Sequence, residues 1–423
     1  MKIQVTNIED YILFLCCLCG ELDMNTFSSH ANYGTEYLRR SISLMVSNKT
    51  IRKFKYSHSA KSPGCVFFKN KSQLRITKPK GEGAVIKLSP ELFWHYNLIV
   101  PERGRSKSGE KTGGRFTGGA VMAERRRRQS KIIQHLYFHG AEIDYLESVT
   151  EQAENRPADT TLENYVIRKS IFDKDGNLLK PETIFSKIEK DKKYFFTIKA
   201  LSKYGIKIDA RGKNMMFRSF GVLLRNDIAC SVYLISGIGE TWHQNNEKLS
   251  GSRVRELINP LGEDRRERGR GAAILYTPDK QVTEDFFFAK EDKRKKVKPE
   301  GVYDTAYILP IEESSAALED LLLIKDFHKK IIALLLREVN VKIEEDRPYD
   351  AIALNQEVYS LFGNDIVKIK KVKEWVGKSS AILLIEEWQE ETIRKFFANE
   401  NLTIWVYSKE ELREIIEILR DEE

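Results

Sequence analysis

Cysteine is scarce in this chain and poorly placed for a disulfide framework. Of five cysteines in 423 residues, Cys16, Cys17 and Cys19 crowd into one apolar run, while Cys65 and Cys230 stand alone. That arrangement supplies neither a set of bridges nor the second cysteine pair of a zinc knuckle. Free, mostly buried thiols in a reducing compartment are the expectation. Long apolar runs are lacking as well. Tyr11–Gly20 reads YILFLCCLCG, about half the ~20 residues a membrane-spanning helix takes. Glu9 and Asp10 precede it, where a secretory signal carries positive charge. The run therefore reads as a buried helix of a cytoplasmic protein. Catalytic signatures are missing too: there is no G-x-x-x-x-G-K-[ST], no G-x-S-x-G and no His-x-His, which removes the usual P-loop, nucleophile-elbow and histidine-pair relaxase patterns.

What is present is lopsided charge. Residues 1–100 hold 14 Lys/Arg against 7 Asp/Glu, and residues 101–131 hold 10 against 3. The whole chain is only +8, so everything after residue 131 is net acidic. A basic head on an acidic body directs the head to a polyanion, most simply nucleic acid. Apolar residues make up 41% of the chain, enough to bury real cores, and the length suggests more than one domain.

Within the head, Ile8–Leu18 has the length of one helix. Asn25-Thr26 offers N-cap chemistry for a short second helix through His30, and Thr35 caps a third running to about Val46. Tyr37, Leu38, Ile42, Leu44 and Met45 are its apolar candidates, with Arg39 and Arg40 reaching outward. Lys49–Tyr56, KTIRKFKY, alternates basic and apolar residues as a strand does. A turn containing Ser-Pro-Gly follows, then a second strand, Cys65–Phe68. Helix, turn, helix, helix and a basic hairpin is the order of a winged helix, in which the third helix meets base edges in the major groove. Arg39 and Arg40 suit guanine or phosphate, and Lys49, Arg52, Lys53, Lys55 and Lys61 suit phosphates. Small helical domains with a hairpin also serve as protein-interaction modules.

Residues 101–131 are rich in Gly, Ser and positive charge, which predicts a flexible basic arm that orders on phosphates. It contains Arg125, Arg126, Arg127 and Arg128 and leads into the helical pattern of Gln129–His139. His135 and His139 stand four apart on that helix. The segment HLYFH lacks the glutamate of a metalloprotease and indicates no third ligand, so no metal or cofactor is expected.

Residues 132–190 read as a helical connector, with a hairpin turn at DKDGN (173–177) rather than a calcium loop. From 191 to 423 strands alternate with helical stretches, which argues for an α/β domain with a mixed, partly parallel sheet, as one body or as two with a break near 340. The expected elements include Val222–Arg225 and Cys230–Ile235 as a hairpin, and a helix at Asn246–Leu257. Strands are expected at Ala272–Tyr276 and Asp304–Leu309, and a long helix at Leu318–Val339. Ala381–Ile385, Glu390–Asn399, Leu402–Tyr407 and Lys409–Arg420 follow as strand, helix, strand, helix. The fold class expected is thus an α+β N-terminal winged helix followed by an α/β domain.

A restriction-type nuclease needs an acid on one strand and [DE]-x-Lys on the next. Asp191-Lys192-Lys193 and Glu291-Asp292-Lys293 match the triplet, and Asp227 sits in a hairpin turn. In a chain with 31% charged residues such triplets arise by chance, and the catalytic residues stay unassigned.

Arg218–Leu224 (RSFGVLL), Val232-Tyr233, Trp242 with Glu247, and Tyr303–Pro310 (YDTAYILP) stand out in the body. With these residues the chain resembles, over most of residues 1–310, the replication-relaxation family carried by plasmids and conjugative elements of Gram-positive bacteria, and the head is similar to that family's winged-helix start. The resemblance implies a protein that binds double-stranded DNA at an origin or operator in replication, transfer or regulation of a mobile element. The partners in view are DNA, a relaxase or replication protein, and a second copy of the chain, with no membrane. A metal-dependent DNA nicking or cleaving enzyme, with its site in the α/β domain, is the alternative. An RNA-binding or protein-interaction module is a third reading.

Overall fold

In the computed structural model, described residues comprise 120–144, 192–203, 219–225 and most of 228–421. Strands at 22–23, 51–55 and 64–68 and scattered helical positions between 12 and 44 are also described. The protein is α+β with mixed sheets. Two compact units divide it, one formed by residues 1–188 and 194–207 and the other by 189–193 and 208–423.

The first unit contains a three-stranded antiparallel sheet in the order β1 (Leu22–Asp23), β3 (Gly64–Phe68), β2 (Ile51–Lys55). The β2–β3 ladder pairs Ile51 with Phe68 and Lys55 with Gly64, so the expected hairpin is formed. Ile12, Leu15, Leu18 and Cys19 are helical and buried. Their spacing of three, three and one puts these four apolar side chains on one face.

Helix α1 spans Ala120–Phe138 and packs against β1. It begins well before the Gln129 onset that periodicity suggested, so residues 120–131 of the expected flexible arm are helix. Arginine is a good helix former, and four in succession do not break a helix. The second half of α1 is enclosed on all sides, with Ile132, Ile133, Gln134, His135 and Leu136 buried. The buried Gln134 amide meets its polar need locally, donating to Ser130 Oγ at 3.0 Å. A Schellman motif ends the helix: Ala141 N–H donates to Leu136 O at 2.9 Å and Gly140 N–H to Tyr137 O at 3.0 Å. Gly140 takes φ +83° there, a conformation that glycine adopts without penalty. Strand β4 (Glu142–Ile143) follows at once and pairs in parallel with β5 (Tyr194–Thr197), which leads into α2 (Ile198–Lys203).

In the second unit β6 (Gly221–Arg225) and β7 (Ile228–Leu234) form an antiparallel pair. Two parallel neighbours follow, β8 (Ala272–Thr277) and β9 (Thr305–Pro310). Parallel neighbours need crossovers; these are α3 (Gln244–Ile258) and α4 (Lys280–Phe288). After α5 (Ala316–Leu322) and α6 (Phe327–Leu335) the arrangement recurs. A second sheet runs β10 (Val341–Ile343), β11 (Ala351–Ala353), β12 (Gln356–Ser360), β13 (Ala381–Glu386), β14 (Leu402–Tyr407). Here β11 and β12 are antiparallel, while β12, β13 and β14 are parallel. Its crossovers are α7 (Ile366–Val376) and α8 (Glu390–Phe396), and α9 (Lys409–Asp421) closes the chain. Hairpin, helix, strand, helix, strand is therefore repeated with the same pairing senses.

One apolar cluster serves both sheets, bringing Tyr233, Leu275 and Ile308 together with Tyr359, Leu383 and Ile385. A single antiparallel bridge joins Tyr307 to Asp365. The Asp365 carboxylate accepts from Ala306 N–H and from Val367 N–H, each at 3.1 Å. The long helix expected at Leu318–Val339 is two helices. Leu321, Leu322, Leu323 and Ile324 are all buried, and a straight helix would carry part of such a run around to another face. The chain turns instead, with Asp326 at φ +55°.

Candidate nucleic-acid interface

The exposed face of the third helical stretch is the feature of the head that bears most directly on recognition. Tyr37, Arg40 and Leu44 are helical and exposed, and Ser41 is buried. Spacings of three and four put the exposed residues on one side. Tyr37 and Leu44, two of the apolar candidates of that helix, flank Arg40 on the outside, Tyr37 54% and Leu44 51% exposed. A guanidinium set between apolar groups matches what a major groove offers, guanine O6 and N7 acceptors beside thymine methyl groups.

Arg125 and Arg128 lie on α1 and are half-buried. Arg126 and Arg127 belong to the same helix, and Arg52, Lys53 and Lys55 to β2. Arg39, Lys49 and Lys61 lie outside the described residues, as do residues 101–119, the DKDGN turn, Asp227 and Glu291-Asp292-Lys293. The structure thus sets part of the expected basic set on two elements of one unit, α1 and the β2 strand of the hairpin.

In the second unit one of the charged groups that resembled nuclease chemistry, Lys193, is sealed. Lys193, from the Asp191-Lys192-Lys193 triplet, pairs with Glu319 and Asp320, each at 3.1 Å, and its side chain is 4% exposed. Glu319 also accepts from the Tyr276 hydroxyl at 2.6 Å and from Ser314 Oγ at 3.2 Å. Burial and the neighbouring Glu319 carboxylate push the Tyr276 hydroxyl well above its ordinary range, which keeps it a donor. A network closed in this way braces the core and offers a DNA strand no approach.

Tyr233, Trp242, Glu247 and Tyr303 also come together. The Tyr233 hydroxyl donates to the Glu247 carboxylate and lies 2.6 Å from that of Tyr303. Trp242 packs on Tyr233 with ring centres 5.5 Å apart. All four are buried, so they fix α3 and the segment just before β9 against β7. Burial, then Glu247, holds the Tyr233 hydroxyl far above its usual range.

Sequence reasoning left the histidines of α1 without a third partner, and the structure supplies one. His30, helical like Thr26 and Phe27, lies beside His135 and His139. It sits in a separate stretch of chain, and no spacing rule links it to the pair. Among the described residues no helix is long and apolar enough to cross a membrane. Comparison with family models, curated proteins and solved structures returns no match.

Proposed function

We propose that the chain is a sequence-selective double-stranded DNA-binding protein of a plasmid or conjugative element. In this reading its first unit is a winged helix that acts at an origin or operator. The observation that carries the reading is the outward face of Tyr37, Arg40 and Leu44, on the most cationic third of the chain. The three-stranded sheet supports it, since β2 and β3 form the basic hairpin that serves as a wing. Arg40 and Arg39 contact base edges, the hairpin lysines and Arg52 contact phosphates, and the arginines of α1 add sequence-independent grip. The acidic second unit recruits a relaxase or replication protein, or pairs with a second copy, in the cytoplasm. The burial of Lys193 against Glu319 and Asp320 gives that lysine a structural role rather than one in a nicking reaction.

Footprinting on DNA of the element that encodes the chain tests the reading. The expected result is a defined protected segment of duplex, with affinity falling steeply with salt as condensed counterions are released. Uniform, unprotected cleavage across the element DNA overturns it, and stronger binding to RNA than to duplex DNA transfers it to the RNA class.

A further inference from the structure

We propose that His30, His135 and His139 form a binding site for a divalent transition metal of the zinc class within the first unit. One ring nitrogen from each histidine lies within 4.8 Å of those of the other two. Ring centres are 4.0 Å apart for His135 and His139, 5.7 Å for His30 and His139, and 5.9 Å for His30 and His135. Nitrogens bound to tetrahedral zinc at ~2.0–2.1 Å lie about 3.4 Å from one another, so small ring rotations bring the three into contact with one ion.

The hydrogen bond of His30 selects the tautomer that suits ligation. Its Nδ1 is 2.9 Å from the Thr26 carbonyl oxygen. A carbonyl only accepts, so Nδ1 carries the proton, and in the neutral ring Nε2 holds the lone pair. Metal-binding histidines are commonly oriented by such a bond from the other ring nitrogen. The ring is also stacked on Phe138, with centres 4.9 Å apart and planes 17° from parallel. His135 and His139 sit four apart and therefore share a face. They occupy the last turn of α1 and its C-cap, where the terminal carbonyls favour a cation.

Three imidazoles with no carboxylate among them suit Zn²⁺, Co²⁺, Ni²⁺ or Cu²⁺ and are poor ligands for Mg²⁺ or Ca²⁺. They fill three of four tetrahedral positions and leave the fourth for water or another group. An ion there links the Thr26–His30 stretch to the end of α1 and so fastens the start of the head to its basic helix. The assignment stands apart from DNA binding, and its tests contain no DNA.

The test uses the full chain without a histidine tag, stripped with chelator and titrated with Zn²⁺ and, separately, Co²⁺. One equivalent bound per chain, visible d–d absorption from tetrahedral Co²⁺, a higher melting temperature with Zn²⁺ and no such shift with Mg²⁺ are expected. His30→Gln and His139→Gln should each weaken Zn²⁺ binding at least about tenfold. His139 is half-buried, which makes it the substitution of choice over the wholly buried His135. Should a variant fail to fold, the zinc X-ray absorption spectrum of the wild-type protein decides, with three imidazole ligands expected. Absence of stoichiometric Zn²⁺ binding overturns the site, as does binding unchanged in both variants or a spectrum without imidazole.

Discussion

The Lys193 ammonium lies 3.1 Å from a carboxylate oxygen of Glu319, and both side chains are almost wholly removed from water. Asp320 stands at the same distance on another side. Replacing the lysine strands two carboxylates in the interior, and breaking a buried pair from one side costs about 3–5 kcal/mol. Lys193→Met is therefore expected to lower the urea midpoint sharply. Adding Glu319→Gln should recover part of the loss, because one uncompensated charge goes with it.

Thr197 closes two local structures. Its backbone N–H and its hydroxyl both donate to the Asp144 carboxylate, at 2.6 Å and 3.0 Å. Its Oγ1 also accepts from Ala200 N–H at 3.1 Å, capping α2. Thr197→Val keeps the shape and removes both roles of the hydroxyl. A loss of about 1–2 kcal/mol is expected from the cap and the orphaned acceptor, measured as a shift in denaturation midpoint. A loss under a few tenths would disprove the capping role.

Glu386 gives the second unit a pH-dependent stability. Burial raises its carboxyl from 4.5 to about 7, against the opposing pull of the Trp388 and Gly363 donors. The folded protein then binds more protons than the unfolded chain between these values, so stability falls as pH rises from 4.5 towards 7. The shift corresponds to about 3 kcal/mol. Denaturation across that window should show the decline in the wild type and a flatter profile in Glu386→Gln.

Gly363 is irreplaceable for two reasons that act together. It adopts φ +73°, and a Cβ there would meet Leu322 Cδ2 at 2.7 Å and Tyr307 at 3.1 Å. Gly363→Ala adds backbone strain to overpacking, and a loss of about 2–4 kcal/mol is expected. A melting temperature equal to wild type would contradict this.

The two arginine sets should separate on DNA. Arg40→Ala is expected to cost about 1–3 kcal/mol on the preferred site and little on unrelated duplex. Arg125→Ala with Arg128→Ala should weaken binding to every sequence and reduce the salt slope by about 2. Equal effects of both changes on both DNAs, read by fluorescence anisotropy, would remove the distinction.

Where periodicity acts within a few residues, the sequence was readable. Leu402–Tyr407 matches its strand residue for residue, and Ala381–Ile385 and Lys409–Arg420 fall one residue short. The hairpin at β2–β3 was equally legible, because basic–apolar alternation and a Ser-Pro-Gly turn both operate locally. Strands β10 to β12 and helix α7 were not. Val341–Ile343 is only three residues long, and Ile366–Val376 mixes lysines with its apolar side. Hydrophobicity alone does not say that Tyr37 and Leu44 face outward, because a helix face is assigned by what packs against it. His30 escaped for a related reason, since only the folded chain brings it to α1.

The doubled hairpin–helix–strand–helix–strand order bears on how the polypeptide is made. Strands β6 to β9 end at Pro310 and those of the following sheet begin at Val341, so among the described residues no strand of the later sheet is threaded between earlier ones. A nascent chain leaving the ribosome can complete that ladder before the later one has emerged. Tyr233, Leu275 and Ile308 must then wait, bare on one side, for Tyr359, Leu383 and Ile385 to arrive. A stalled or truncated product ending between the two would display a sticky apolar flank, the kind of surface that chaperones and proteases act on.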